Sequence, residues 1–234
     1  MKKLSILLFV ILAVTFASAQ RYGARIGGNF SGMMATVKSE GTKIAPGMNV
    51  GLLTELGGKK VNLHIEANYA QKGFNINLDE SVDGQLMQVQ QQVNFEYLEV
   101  PVLLKVNPPV IPLLYFYAGP YFGLALKGEL ATELYKVDGT VQDIPSSVNI
   151  FKDNLYQPPY KRSDFGITFG VGAQFGIGNL AAFVEGRAAL GLSNLYDTED
   201  AAYQDFIVNE GYKDTDHIKN MVFSLGAGII IGED

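Results

Sequence analysis

The sequence predicts an all-β fold: an eight-stranded antiparallel up-and-down transmembrane β-barrel, with short periplasmic turns and long extracellular loops. Three observations predict it. Segment after segment alternates apolar and polar side chains with period two, the spacing that sends neighbouring residues to opposite faces of a strand. The connections between segments run long, short, long, short, long, short, long. The chain is 47% apolar, yet beyond its N-terminal stretch no window is apolar over the length a spanning helix needs. A closed barrel is the other way to cross a bilayer with every backbone group paired.

The N-terminus reads as a secretory leader, residues 1–20, cleaved to leave a single barrel domain over 21–234. Lys2 and Lys3 precede the apolar run Leu4 to Phe16, and Ala17-Ser18-Ala19 supplies the small residues of a cleavage site. There is no Cys, so an exported chain must hold itself by packing and hydrogen bonds. Losing the two leader lysines takes the net charge from −6 to −8. That acidity speaks against a nucleic-acid partner, which calls for a basic patch.

The first strand spans about Tyr22 to Met33, with Tyr22, Ala24, Ile26 and Phe30 on one face and Arg25, Asn29 and Ser31 on the other. The second spans Gly47 to Leu56, setting Met48, Val50 and Leu52 against Asn49, Leu53 and Glu55. Gly57-Gly58-Lys59-Lys60 is a tight turn. In the third, Val61 to Asn77, the residues Val61, Leu63, Ile65, Ala67 and Tyr69 oppose Asn62, His64, Glu66, Asn68 and Lys72. Leu78 to Asn94, with the Gln-rich run Gln88 to Gln92, reads as a loop plus strand extensions above the membrane. The fourth strand, Phe95 to Val106, has the clearest polarity: Leu98, Val100, Val102, Leu104 and Val106 against Tyr97, Glu99, Pro101, Leu103 and Lys105.

Three prolines between Asn107 and Pro112 make the next turn. The fifth strand, Leu113 to Glu129, sets Leu114, Phe116, Phe122, Leu124 and Leu126 against Tyr115, Tyr117, Tyr121 and Lys127. Pro120 should mark a bulge or a missing ladder bond. Leu130 to Arg162 is the longest loop and carries Tyr135, Phe151, Tyr156, Pro158, Pro159 and Tyr160. The sixth strand runs Ser163 to Ile177, the seventh Leu180 to Ser193 with Phe183, Glu185 and Arg187 inward, and the eighth His217 to Ile231. An acidic loop, Asn194 to Asp216, joins the last two.

A soluble lipocalin-like barrel has the same strand count but the opposite polarity. The leader, the loop asymmetry and an inward face rich in Gly and charge favour the membrane barrel. Tyr22, Phe30, Tyr69, Phe74, Phe116, Phe122, Phe165 and Phe175 should then lie on the lipid face or in interfacial belts.

Tyr22-Gly23-Ala24-Arg25-Ile26-Gly27-Gly28-Asn29-Phe30-Ser31 resembles the opening strand of the PorT-like outer-membrane β-barrel family. Tyr97-Leu98-Glu99-Val100-Pro101-Val102-Leu103-Leu104-Lys105 resembles its YLE-(I/V)-P-(L/V)-L-x-K strand. Ala118-Gly119-Pro120, Phe183-Val184-Glu185-Gly186-Arg187 and Gly191-Leu192-Ser193-Asn194 are similar to further pieces of it. The resemblance implies an eight-stranded barrel in the outer membrane. Some members of that family are implicated in protein secretion and surface assembly.

The chemical feature is the set of inward charges: Arg25, Glu55, Glu66, Glu99, Lys105, Glu185 and Arg187, with His64 among them. Mixed signs in a lumen that side chains can fill predict a plug of ion pairs. A narrow solute or proton path is the alternative. A barrel enzyme at the outer rim would use His217 beside Asp214 and Asp216. The acidic loop lacks compact Ca²⁺-loop spacing, and no cofactor or metal site is expected. The sequence therefore predicts a non-enzymatic monomer in outer-membrane lipid, with secretion or surface-assembly proteins as candidate partners.

Overall fold

The computed structural model describes residues 20–35, 42–82, 85–136, 146–151, 160–199 and 217–232. Residues 1–19, within the stretch expected to be a leader (1–20), and most of the acidic loop, with Asp214 and Asp216, lie outside that set. The strands are β1 (Gln20–Ala35), β2 (Thr42–Gly57), β3 (Val61–Val82), β4 (Gln85–Val106), β5 (Leu114–Lys136), β6 (Ser146–Asn149), β7 (Ser163–Ile177), β8 (Leu180–Gly191) and β9 (Ile218–Ile231). All pair antiparallel, and eight of them close a barrel in the order β1-β2-β3-β4-β5-β7-β8-β9. β9 pairs back onto β1, from Tyr22↔Ile231 to Ala35↔Ile218, which closes the ring. The short β6 adds to the upper part of β5 outside the wall. No helix among the described residues is long and apolar enough to cross a membrane.

Polarity in β4 decides how the barrel meets its surroundings. Leu104 is 55% exposed, while its neighbours Leu103 and Lys105 are 0% and 1% exposed. The same holds around the ring, with Ile26, Leu52, Phe116, Phe169, Val184 and Leu225 outside and Arg25, Leu53, Tyr115, Thr168, Glu185 and Ser224 inside. Apolar residues therefore coat the outer wall. Hydrocarbon rather than water is the solvent that makes this arrangement favourable.

On β4 the coat runs from Leu98 to Val106, eight steps of about 3.3 Å along the strand. With a tilt of about 40° this gives a band roughly 20 Å high, near the ~25 Å of outer-membrane barrels. The tight turns after Gly57 and at Gly178 use positive φ, 122° and 63°.

Three strands continue well beyond the band. β3, β4 and β5 have 22, 22 and 23 residues, against 12 for β8 and 16 for β1. The segment between Leu78 and Asn94, expected as a loop plus strand extensions, is thus nearly all strand extension, paired from Phe74↔Val93 to Val82↔Gln85. The fifth strand likewise runs on past Glu129 to Lys136.

Pro101 and Pro120, which lack an N–H, lie where the β3–β4 and β4–β5 ladders skip pairs without changing register. The bulge in this region is elsewhere. Glu96 pairs with Lys127 but Tyr97 pairs with Ala125, so Leu126 is the extra residue. That insertion flips the parity above it. Lys127, expected inside, lies outside with its side chain 44% exposed and paired to Glu129 at 2.7 Å. Phe74 is a second correction. Expected on the lipid face or in an interfacial belt, it is buried inside above the band, because its even position follows His64, Glu66 and Lys72 inward.

Candidate functional site: the lumen network

Inward side chains stack in layers along the barrel axis. Nearest the short turns, Leu53, Leu103, Tyr115, Tyr117, Ala181, Phe183 and Ile230 pack together. Register explains how such large rings fit. Tyr115 stands opposite Gly172, Tyr117 opposite Gly170, Tyr121 opposite Gly166 and Phe183 opposite Gly228. A Cβ on any of these glycines would come within 2.2–2.5 Å of the facing ring or its hydroxyl. The glycine content of the inward face therefore leaves room for the aromatic rings to lie across the neighbouring strand.

Charged groups occupy the rest of the section in three connected groups. At the short-turn end, Glu55 accepts hydrogen bonds from Arg21 at 2.5 Å and Lys105 at 2.6 Å. Lys105 also donates to Gln174 at 2.8 Å and lies 4.0 Å from the centre of the Tyr115 ring. His64 bridges to the next group, with Nδ1 3.0 Å from Glu55 and Nε2 2.7 Å from Glu66. An imidazole flanked by carboxylates on both nitrogens satisfies both contacts only when both carry protons.

In the middle, Arg187 grips Glu66 with two parallel bonds of 2.9 and 2.8 Å. It also reaches Glu185 at 2.5 Å and the Tyr117 hydroxyl at 3.0 Å. Arg25 lies on the far side of the same carboxylates, 3.1 Å from Glu185, and donates to Asn49 at 2.6 Å. Tyr115 donates to the other Glu185 oxygen at 2.9 Å. The fork-to-fork geometry is the strongest form of ion pair available to these side chains.

Toward the long loops, Lys72 joins Glu99 and Asp164, and its ammonium sits 4.5 Å from the centre of the Tyr121 ring. Asp164 also accepts from Tyr121 at 3.0 Å, Asn220 at 2.8 Å and Ser193 at 3.0 Å. Strand period alone places Lys72 and Asp164 inward, since both are even positions in strands whose even residues face the lumen. The network expected from sequence nevertheless contains neither, nor Arg21.

The residues singled out from sequence thus fall into different groups. Lys105 meets Glu55, Arg187 meets Glu66 and Glu185, Arg25 lies beside Glu185, and Glu99 meets Lys72. Across the three groups, Arg21, Arg25, Lys72, Lys105 and Arg187 face Glu55, Glu66, Glu99, Asp164 and Glu185, and His64 protonated on both nitrogens adds one further positive charge between Glu55 and Glu66. A barrel that buries this many charges is stable only if they are paired, because desolvation costs several kcal/mol per ion.

A recess of about 360 Å³ opens at the short-turn end, lined by Arg21, Lys60, Asn107, Pro112 and Gln174 among others, but little space remains at the level of the middle charged group. A cavity among Arg25, Asn49, Asn68, Lys72, Glu99 and Arg187 measures about 20 Å³, room for about one water. Above it an apolar layer covers the mouth. Phe95 lies 5.8 Å from Tyr97, 6.1 Å from Phe151 and 5.5 Å from Tyr160, with Phe74, Val93, Ile150, Leu195 and Ile218 buried around them. Phe151 and Tyr160 belong to the segment expected as an aromatic loop; they pack over the barrel mouth. Tyr156, Pro158 and Pro159 lie outside the described residues. His217 is at the rim, exposed, with Nδ1 3.1 Å from the Asn194 amide.

Comparison with known proteins gives a family. Residues 16–197 match the family described as "Outer membrane protein beta-barrel domain". No curated protein matches the chain. Among solved structures it is similar to the attachment invasion locus protein Ail of Yersinia pestis, solved with the heparin analogue sucrose octasulfate. That match has 15% identity and a TM-score of 0.37, covering 91% of this chain and 99% of Ail. Neisserial surface protein A matches at 9% identity and a TM-score of 0.37, covering 90% and 96%. A major outer membrane protein from Thermus thermophilus matches at 14% identity and a TM-score of 0.47, covering 91% and 100%.

Proposed function

The chain belongs to the outer membrane protein beta-barrel domain family, and from that premise we propose that it is a closed, non-conducting, non-enzymatic barrel whose raised sheet serves surface assembly or secretion. It lies in the outer membrane as an integral barrel. The observation that carries the proposal is the filled lumen. Three ion-paired groups span the section, about 20 Å³ stays open in their midst, and an aromatic layer caps one end. A solute would have to break the Arg187–Glu66 fork to pass.

A rigid wall with a plugged interior has its accessible variety outside the membrane. There β3, β4 and β5 rise as an extended sheet, and we place that end at the cell surface with the short turns in the periplasm. The resemblance of Tyr97 to Lys105 to the PorT-like strand motif supports a role among secretion or surface-assembly proteins. Export by the Met1–Gln20 leader and action as a monomer complete the proposal.

Planar-bilayer recording on the purified barrel tests the closed lumen: no steady conductance is expected. Discrete ohmic channels in the unmutated protein would overturn it in favour of a solute path. Affinity purification from outer membranes tests the assembly role, and a barrel that emerges without stoichiometric protein partners counts against it.

A further inference from the structure

We propose that the outward face of the raised sheet, centred on Asn75, Asn77, Gln90 and Gln92, binds the hydroxyl-rich saccharide of the glycolipid in the surrounding outer leaflet. The proposal rests on the orientation given above, with the raised sheet at the cell surface.

Continuity with the lipid wall comes first. Tyr69, Leu98 and Leu124 are register partners and form the top row of the apolar band. The next outward row is Gln71, Glu96 and Lys127, and the rows above it join Asn75 to Gln92 and Asn77 to Gln90 and Glu133. These side chains face the same way as the lipid-contacting residues of the same strands. They meet whatever lies directly above the hydrocarbon. In a bilayer leaflet that is the headgroup layer of the adjacent lipid, which for the glycolipid of an outer leaflet is sugar.

Chemistry comes second. A recess of about 200 Å³ is lined by Lys43, Asn75, Asn77, Gln90, Gln92 and Glu133, together with Gln91 and Ala131. Side-chain amides both donate and accept, which suits hydroxyl groups that do the same. Their present partners are poor. Gln90 reaches Gln88, and Gln92 reaches Asn94, at 3.4 Å each and in the open. The Oδ1 of Asn75 is shielded from solvent and takes no hydrogen bond among the described residues. Formal charge on this face leans negative, with Glu96, Glu129 and Glu133 against Lys43 and Lys127. That selects neutral sugar rather than phosphate as the matching group.

The test uses the full-length folded barrel in detergent, with three probes: intact lipopolysaccharide, its lipid A, and its saccharide released by mild acid. Wild type should bind intact lipopolysaccharide more tightly than lipid A, and the free saccharide should compete. Gln90→Ala/Gln92→Ala should weaken lipopolysaccharide binding roughly tenfold, the loss expected for two neutral hydrogen bonds, and leave lipid A binding unchanged. Heat-modifiable gel mobility reports that the variant is folded. Equal affinity of variant and wild type for intact lipopolysaccharide, or competition by lipid A as strong as by the intact molecule, overturns the proposal. Labelling Gln88→Cys in whole cells with a membrane-impermeant maleimide separates this from the orientation. No labelling overturns the orientation and the saccharide site with it, whereas labelling with unaltered binding overturns the saccharide site alone.

Discussion

Below Leu98 and above Glu96, one strand obeys two opposite rules. In the membrane band β4 sends Leu98, Val100, Val102 and Leu104 outward and Glu99, Leu103 and Lys105 inward. In the raised sheet the same strand sends Gln90, Gln92 and Asn94 outward and Val89, Val93, Phe95 and Tyr97 inward. The backbone geometry is continuous across the change. What differs is the solvent on the outer side. Lipid favours an apolar coat, so the interior carries the polar groups and must pair them; water favours a polar coat, so the interior is an ordinary apolar core. The level at which the pattern reverses marks the edge of the hydrocarbon more sharply than any single residue could.

The comparison can be broken hardest in the band. Arg187→Ala leaves Glu66 and Glu185 buried without their fork, and a loss of about 3–5 kcal/mol is expected. Urea unfolding followed by heat-modifiable mobility measures it; a loss below about 1 kcal/mol would mean that water reaches the lumen freely. Next comes the outer wall. Val102→Arg, at mid-band, should cost about 2–4 kcal/mol in lipid vesicles. Packing inside the band ranks third: Gly170→Val pushes a side chain into the Tyr117 ring and should cost about 1–3 kcal/mol. Gln92→Arg is the smallest. It sits on the same face of the same strand as Val102 but above the reversal, so a change within about 0.5 kcal/mol is expected. If Val102→Arg and Gln92→Arg prove equally costly, the two levels share one solvent and the reversal has lost its cause.

Period-two alternation made the wall legible, down to the side on which nearly every band residue lies. It put Arg25, Glu55, Glu66, Lys105, Glu185 and Arg187 inside because each keeps phase with its strand. The raised sheet was harder to see. Alternation persists there, in Val89, Val93 and Phe95, but its phase is inverted, so a stripe followed up from Val106 breaks off at Leu98. Lys127 was misplaced because a single inserted residue, Leu126, shifts phase without leaving a mark in the local pattern. Which cation meets which carboxylate depends on strands far apart in the chain, as with Glu66 and Arg187, and no spacing within a strand encodes it.

The β1–β9 seam has a consequence for how the molecule comes to exist. Every other junction of the wall joins strands adjacent in sequence or separated only by the short β6, whereas this one joins the first strand to the last. The seam is also stitched inside: Ser224 on β9 donates to Asn29 on β1 at 2.8 Å, and Arg25 on β1 leans on Glu185 of β8. Sealing the ring and locking its contents are therefore one event. Without the β1–β9 pairing both strands would present an unpaired edge, which hydrocarbon does not satisfy, so this sheet suits a bilayer only as a closed ring.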